Sequence, residues 1–382
     1  MAGTALSAPV AALAAELISR RSVTPDDAGC QELLAERLER AGMTVEPLRF
    51  GEVDNLFATH GDGAPHLLLL GHTDVVPPGP EAAWASDPFV PDVREGVLFG
   101  RGAADMKSSV AAFVVAVEDF LGGYSGHRGR ISLLLTSDEE GAAEHGVRRV
   151  APWLAERGLS PDHVLVGEPS SSQTLGDVVR IGRRGSIQAR LFVEGVQGHT
   201  AYAEPADNPV HRGAPALAEL VALEFDDGDD AFPPTRLQVS NVAAGTGADN
   251  VTPGRFDVLF NLRHNPNSTA EALEARVRDV LARHGLSEAA LDWRISGAPF
   301  GPADGALLQA VRDAVVEHAG KPPAEDTGGG TSDGRFFGPD GIETVELGPV
   351  NRTIHRVDEC IALADLQRLP GLYAGVIRRV LA

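Results

Sequence analysis

At 382 residues the chain exceeds the size at which a single core stops growing, so two domains are expected. Its 43% hydrophobic and 23% charged content is that of a globular protein, and 54 acidic against 33 basic residues leave a net charge of -21, which argues against nucleic acid or an anionic membrane as partner. A small anionic substrate is still allowed, because a local pair of arginines dominates the field within a Debye length of ~8–10 Å.

The N-terminal stretch MAGTALSAPVAALAAELISRRS has no basic leader, and Val10, Leu13, Leu17 and Ile18 recur at helical spacing. It reads as an amphipathic first helix rather than a signal peptide. No apolar run approaches the ~20 residues that a membrane span needs. Cys30 and Cys360 are too few for a disulfide framework and form no C-x-x-C pair, so a reducing cytoplasm is the expected location. Residues 26–41 carry a second helical period through Cys30, Leu33, Leu34 and Leu38, stopped by Gly42. Residues 43–58 then alternate like strands.

The stretch at 66–76, HLLLLGHTDVV, organises the rest of the chain. Its unbroken apolar run predicts a buried strand of a parallel sheet, covered on both faces. Ligands and catalytic groups gather beyond the carboxyl ends of such strands, where Gly71, His72, Thr73 and Asp74 fall. Side chains at i and i+2 share a face, so Asp74 can hold one nitrogen of His72 while the other binds a metal. A core histidine beside an ordinary aspartate is the plainer explanation, and other stretches must decide.

Farther along, VLFGRGAADMKSSVAAFVVAVEDF predicts a strand, a glycine-containing turn and a helix over 106–120, with Asp105 at the capping position. A strand at 130–136 ends in the acids of TSDEEG, a helix follows over 144–157, and HVLVGEPS again ends a strand at Gly167 and Glu168. Strands alternating with helices indicate a βαβ layered sheet through residue 180. From 181 to 296 the pattern changes to four strand-like runs and two helices, near 209–223 and 269–285, which predicts an inserted α+β domain. Residues 297–382 return to the first pattern, with helices at 304–319 and 363–381, and are expected to complete the first domain. The acidic stretch at 226–230 reads as a solvated loop.

Strand ends or adjoining loops thus carry His72, Asp105, Glu139 with Glu140, Glu168, and His355 in GPVNRTIHRVDE. Each has an ordinary explanation alone, as a helix cap, a helix-start charge or a surface side chain. Together they converge on one crevice. Two imidazoles and three carboxylates suit zinc or a similar divalent ion, and one carboxylate could bridge two ions ~3.5–4 Å apart. Hydrolysis also needs an acid that binds no metal and takes the proton of water. Either Glu139 or Glu140 could be that group.

These residues resemble the di-zinc aminoacylase and carboxypeptidase superfamily, peptidase family M20. The resemblance rests on GHTDVVPPG (71–79), GRGAADMK (100–107), TSDEEG (136–141), VGEPS (166–170), GRRGS (182–186), VQGHTAY (196–202), ADNPVH (206–211), NVTP (250–253), FNLR (260–263), TGGGTSDGRFF (327–337) and ELGPVNRTIH (346–355). It implies an α/β zinc-peptidase-like catalytic domain with a mixed, mostly parallel central sheet, and an inserted domain with a four-stranded sheet and two helices. It further implies two Zn2+ per subunit, with Co2+ able to substitute. His72 and Glu168 would hold one ion, Glu140 and His355 the other, and Asp105 would bridge them. Glu139 would be the general base and Asp74 would orient His72.

The resemblance also implies a homodimer formed through the inserted domain, with His199 reaching the active site of the second copy. Arg183, Ser186, Tyr202, Asn250, Arg263, Gly330, Thr331 and Asn351 would line the substrate pocket. GRRGS, GGTSDGRF and GPVN-x-TIH point to members that cleave the amide of N-succinyl-LL-2,6-diaminopimelate, giving succinate and LL-diaminopimelate. Arginine forks and the exposed N–H groups of a glycine-rich turn suit that substrate's carboxylates. The nearest alternative is a sister deacylase acting on another N-acyl amino acid, such as acetylornithine. A non-catalytic metal-binding protein would be expected to lack Glu139 or a ligand, and a nucleotide-binding domain would need a GxGxxG turn that is absent. The 141–150 segment, the acidic 224–230 loop and the triple glycine at 328–330 follow no pattern of the family.

Overall fold

The computed structural model describes residues 6–124, 126–202 and 207–382. The first elements are α1 (Pro9–Ile18), α2 (Cys30–Arg40), β1 (Thr44–Phe50), β2 (Val53–Gly61), β3 (His66–His72), β4 (Asp92–Arg94), β5 (Val97–Phe99), α3 (Lys107–Gly123), β6 (Arg130–Thr136), α4 (Val147–Glu156), β7 (His163–Val166) and β8 (Val178–Arg180). Next come β9 (Gly185–Glu194), β10 (Gly198–His199), α5 (Pro209–Val221), β11 (Arg236–Ala244), β12 (Val251–Thr252), β13 (Arg255–His264), α6 (Ala270–Arg283) and β14 (Ala290–Gly297). The chain ends with α7 (Ala306–Ala319), β15 (Ala324–Asp326), β16 (Glu343–Glu346), β17 (Cys360–Ala362) and α8 (Leu363–Leu381).

Two compact units result. The first comprises the chain up to Gly182 with Gly301–Asp326 and Ser332–Ala382, and the second comprises Arg183–Phe300 with Thr327–Thr331. The first unit holds an eight-stranded mixed sheet in the order β1-β2-β6-β3-β7-β16-β8-β15, whose centre, β6-β3-β7-β16, is parallel. The leucines of β3 show why both faces must be covered. Leu67 and Leu69 enter the core shared with α1, α3, α7 and α8, while Leu68 and Leu70 enter the opposite core against α4. Each such burial is worth about 1.5–3 kcal/mol, and period-two alternation divides the run equally between the two layers. In the second unit β11-β13-β9-β14 form an antiparallel sheet, with α5 and α6 packed into its core.

Helix starts depart from the periodicity where a carboxylate seizes the backbone first. Asp138 accepts N–H bonds from Ala143, Glu144 and His145 at 2.8–3.0 Å, so α4 begins at Val147 rather than 144. At α2 the Asp27 carboxylate accepts Gln31 N at 2.9 Å and Gly29 takes the N-cap position at φ 76°, so the helix starts at Cys30.

Glu343 supplies a cap from a neighbouring strand. Its carboxylate accepts the N–H groups of Gly305, Leu307 and Leu308 at 2.8–3.0 Å, the orphan donors at the start of α7, and contacts His163 Nδ1 at 3.0 Å. Burial would raise its pKa, but His163 and the two leucine amides hold it down to about 2. Glu343→Ala should destabilise the protein by about 1–3 kcal/mol in chemical denaturation at pH 7. Because the folded pKa is depressed, the contribution is full above about 4.5 and is lost as the pH falls toward 2, so wild type and variant should converge on acidification.

Candidate metal centre

The segments that carry the proposed ligands meet in the first unit, three of them at the ends of β3, β6 and β7, with Asp105 and His355 on loops outside that sheet. His72 closes β3, directly across from Thr136 at the end of β6, and the turn after β6 carries Glu139 and Glu140. Glu168 follows β7 by two residues, and Asp105 lies just before α3. Gly71 and Gly167 precede two of the proposed ligands for a steric reason. A Cβ at either would come within 2.6 Å of Met106 Cε, so both glycines let the residue after Asp105 pack against the strand ends.

Asp105 sits between the two imidazoles. Its Oδ1 is 3.4 Å from His72 Nε2 and its Oδ2 is 3.2 Å from His355 Nε2. Glu168 Oε1 lies 3.7 Å from His72 Nε2, and Glu140 Oε1 lies 3.0 Å from His355 Nε2. Ligand atoms of His72, Asp105 and Glu140 fall within 4.8 Å of one another, as do those of His72, Glu139 and Glu168. His72 is 1% exposed and His355 is 50% exposed, which gives the cluster a closed and an open side.

Asp105 is not the cap of α3. Met106 occupies the N-cap position without a side-chain hydrogen bond, and the Asp105 carboxylate turns to the imidazoles instead. The partner of His72 also differs from the expected carboxylate. His72 Nδ1 is 2.9 Å from the main-chain oxygen of Asp74 and 3.6 Å from its Oδ1, because the chain leaves the extended conformation after His72. The Asp74 carboxylate accepts the N–H groups of Glu139 and Glu140 at 3.4 and 3.1 Å, and so anchors the turn that bears them.

Electrostatics favours a cation here. Burial disfavours a charged His72, yet Asp105, Asp74 and Glu168 raise its pKa well above 6.5. His355 is pushed up to about 10, chiefly by Asp105 and Glu140. Burial, with Asp333 and Glu140 beside it, raises Glu139, while burial, Asp105 and Glu139 raise Glu168. The acids outnumber the imidazoles, and protons balance the charge that divalent ions would supply. The fit is also visible in unmet valence: among the described residues, His72 Nε2 and Asp105 Oδ1 are buried without a hydrogen-bond partner and face each other. A nitrogen lone pair and a carboxylate oxygen aimed at one point suit a metal ion.

The residues assigned to substrate divide between the units. Asn351 lies in the first, four residues before His355, while Arg183, Ser186, His199, Tyr202, Asn250, Arg263, Gly330 and Thr331 lie in the second. Arg183 is buried, and its Nη1 donates to Gly328 O at 2.6 Å, holding the glycine-rich turn. Ser186 and Arg263 pair across β9 and β13. His199 faces Val251 across a two-residue ladder, the Tyr202 ring lies 5.5 Å from its imidazole, and Asn250 O accepts from Thr200 N. His199, Tyr202 and Asn250 are exposed. Ala206 of the ADNPVH stretch lies outside the described residues.

Sequence reasoning missed three buried acids around the centre: Asp138, Asp333 and Glu359. Asp138 and Asp333 stand inside the stretches TSDEEG and TGGGTSDGRFF, and Glu359 ends GPVNRTIHRVDE, so the signal that could have found them was their place near the proposed site residues.

The chain matches the model of peptidase family M20/M25/M40 over residues 68–379. It is 58% identical over 369 residues to a succinyl-diaminopimelate desuccinylase of Stenotrophomonas maltophilia, covering 97% of this chain and 98% of that protein. Among solved structures, an M20 family metallo-carboxypeptidase of Sulfolobus solfataricus superposes with a TM-score of 0.82 at 16% identity, covering 97% and 98% of the two chains. A dinuclear metal-binding M20 peptidase of Bacillus subtilis does so with a TM-score of 0.72 at 14% identity, covering 96% of each.

Proposed function

The chain belongs to peptidase family M20/M25/M40, and from that premise we propose how its cluster of acids and imidazoles works. The protein is a hydrolase. It cleaves the amide of N-succinyl-LL-2,6-diaminopimelate to succinate and LL-2,6-diaminopimelate, a step of lysine and diaminopimelate biosynthesis. The observation that carries the chemistry is the carboxylate of Asp105 directed at two imidazoles 3.4 and 3.2 Å away.

In this reading the resident ions would be two Zn2+, with Co2+ able to substitute: His72 and Glu168 would hold one, Glu140 and His355 the other, and Asp105 would be shared between them. When bound, they polarise the amide carbonyl and lower the pKa of water toward ~7. Glu139 takes the proton of the attacking water and returns it to the departing amine. The main-chain oxygen of Asp74 holds the proton on His72 Nδ1 and leaves Nε2 free to ligate. His199, donated by the second copy in a homodimer, hydrogen-bonds the developing oxyanion. Ser186, Tyr202, Asn250, Arg263, Gly330, Thr331 and Asn351 take the substrate's polar and charged ends, and Arg183 shapes the turn that presents Gly330 and Thr331. Thr331 Oγ1 is buried without a hydrogen-bond partner among the described residues, which leaves it available to a ligand. We place the enzyme in the cytoplasm; no helix among the described residues is long and apolar enough to cross a membrane.

The test is hydrolysis of N-succinyl-LL-diaminopimelate and N-acetylornithine side by side, followed by loss of amide absorbance. A site built for a carboxylate on the acyl group rejects an analogue that lacks it by about 10,000-fold in kcat/KM. Such a preference, lost with chelator and regained with Zn2+, is the expected result. Preference for acetylornithine would keep the chemistry and overturn the substrate.

A further inference from the structure

We propose that Glu359 is the positioning residue of the metal centre: by accepting four donors from the turn at 101–105, its carboxylate places Asp105 between His72 and His355. The inference rests on the two-metal reading above.

Glu359 is fully buried, just before β17. Its Oε1 accepts the main-chain N–H groups of Ala104 at 2.8 Å and Asp105 at 2.9 Å. Its Oε2 accepts Gly102 N at 3.0 Å and Arg101 Nη1 at 2.7 Å. The donors lie in an irregular turn between β5 and α3, where no sheet ladder holds the backbone, so this carboxylate substitutes for one. Glu359 itself is fixed by its neighbour, since Cys360 pairs with Phe99 across β17 and β5, and Gly100 N donates to Glu359 O at 3.0 Å.

The same contact reaches the other ligand loops through Arg101. This arginine is 2% exposed and lies over the Trp84 ring at 5.1 Å. Its Nη1 also donates to Arg356 O at 3.1 Å, one residue beyond His355, and its Nη2 donates to Pro77 O at 3.4 Å, three residues beyond Asp74. One buried ion pair therefore joins the segments that carry His72, Asp105 and His355. The segment bearing His355 needs that hold, because His355 and Asp358 both adopt left-handed backbone, at φ 59° and 56°. Glu359 bonds Asp105 through its main-chain N–H, while the Asp105 carboxylate faces the imidazoles. It acts through the backbone of Asp105.

The four donors also explain why a carboxylate is needed. Glutamine has the same shape, but either orientation of its amide sets N–H against N–H, with Ala104 and Asp105 on one side or Arg101 and Gly102 on the other. Removing a partner behind a ligand typically lowers metal affinity 10- to 100-fold.

The experiment titrates the metal-free full-length protein with Zn2+ against a competing chelator, alongside kcat and KM. Wild type, Glu359→Gln, Arg101→Lys and, as a control for lost stability, Glu343→Ala are compared. Glu359→Gln should weaken Zn2+ binding about 10- to 100-fold and lower kcat at least tenfold with KM within threefold. Arg101→Lys keeps a cation beside Glu359 but drops the donors to Arg356 and Pro77, and should weaken Zn2+ binding about three- to tenfold. Glu343→Ala should leave Zn2+ affinity unchanged. Unchanged affinity and kcat in Glu359→Gln, or an equal loss in Glu343→Ala, would overturn the role of Glu359. If Glu359→Gln does not fold, unchanged affinity in Arg101→Lys overturns it alone. Wild type that takes up fewer than two Zn2+ would instead overturn the two-metal reading.

Discussion

Glu139→Gln is expected to keep both metal ions and lose between about 100- and 10,000-fold in kcat, the span that a general base contributes. A carboxylate oxygen of Glu139 lies within 4.8 Å of a ligand atom of His72 and of Glu168. Its N–H is anchored on Asp74 Oδ1 at 3.4 Å, so its direction comes from the turn and survives the substitution. Burial and the neighbouring Asp333 and Glu140 raise its pKa, which makes it a stronger base for water, and bound cations offset part of that rise. The amide of glutamine fills the same space and accepts no proton. Metal content after desalting, measured together with kcat and KM, is the check. A Glu139→Gln enzyme within tenfold of wild type would remove this residue from proton transfer.

Asp105→Ala is expected to fail in the opposite manner, by losing metal first. The substitution removes the group that, among the described residues, contacts both imidazoles, and takes the facing carboxylate oxygen at 3.4 Å away from His72 Nε2, which has no hydrogen-bond partner of its own. Zn2+ content should fall below two per chain, and kcat/KM should fall at least about 1,000-fold, with partial recovery in excess Zn2+. The pair of variants separates two roles that a simple loss of activity would merge. Retained metal with lost turnover marks the base, and lost metal marks the bridge. Full metal content in Asp105→Ala would contradict the bridging arrangement.

Much of this was legible along the chain. The leucines before His72, the run ISLLL in β6 and HVLV in β7 are apolar on both faces for most of their length, and burial on both faces is what a central parallel strand requires. The sequence located α1, α3, α5, α6, α7 and α8 closely: α5, α6 and α7 each show an apolar stripe to one core, while α3 and α8 carry apolar runs buried on all sides over part of their length. Where periodicity misplaces an element, side chains compete with the backbone. Asp138 holds residues 143–145 out of α4, and Asp105 declines to cap α3 because two imidazoles compete for its oxygens.

The sequence by itself determined the sheet's layers, the residue types at the strand ends and, through its motifs, the family. Those features are local: periodicity reports which face of a segment is buried, and short motifs keep their spacing. Tertiary structure alone decided that Asp105 divides its oxygens between His72 and His355, that His72 takes a main-chain oxygen rather than the Asp74 carboxylate, and that Glu359 holds the turn beneath them. These partners lie in irregular segments, most of them far apart in the chain, where no repeat indicates direction. Their pairing is set by the convergence of parallel strand ends and by the need of every buried donor for an acceptor.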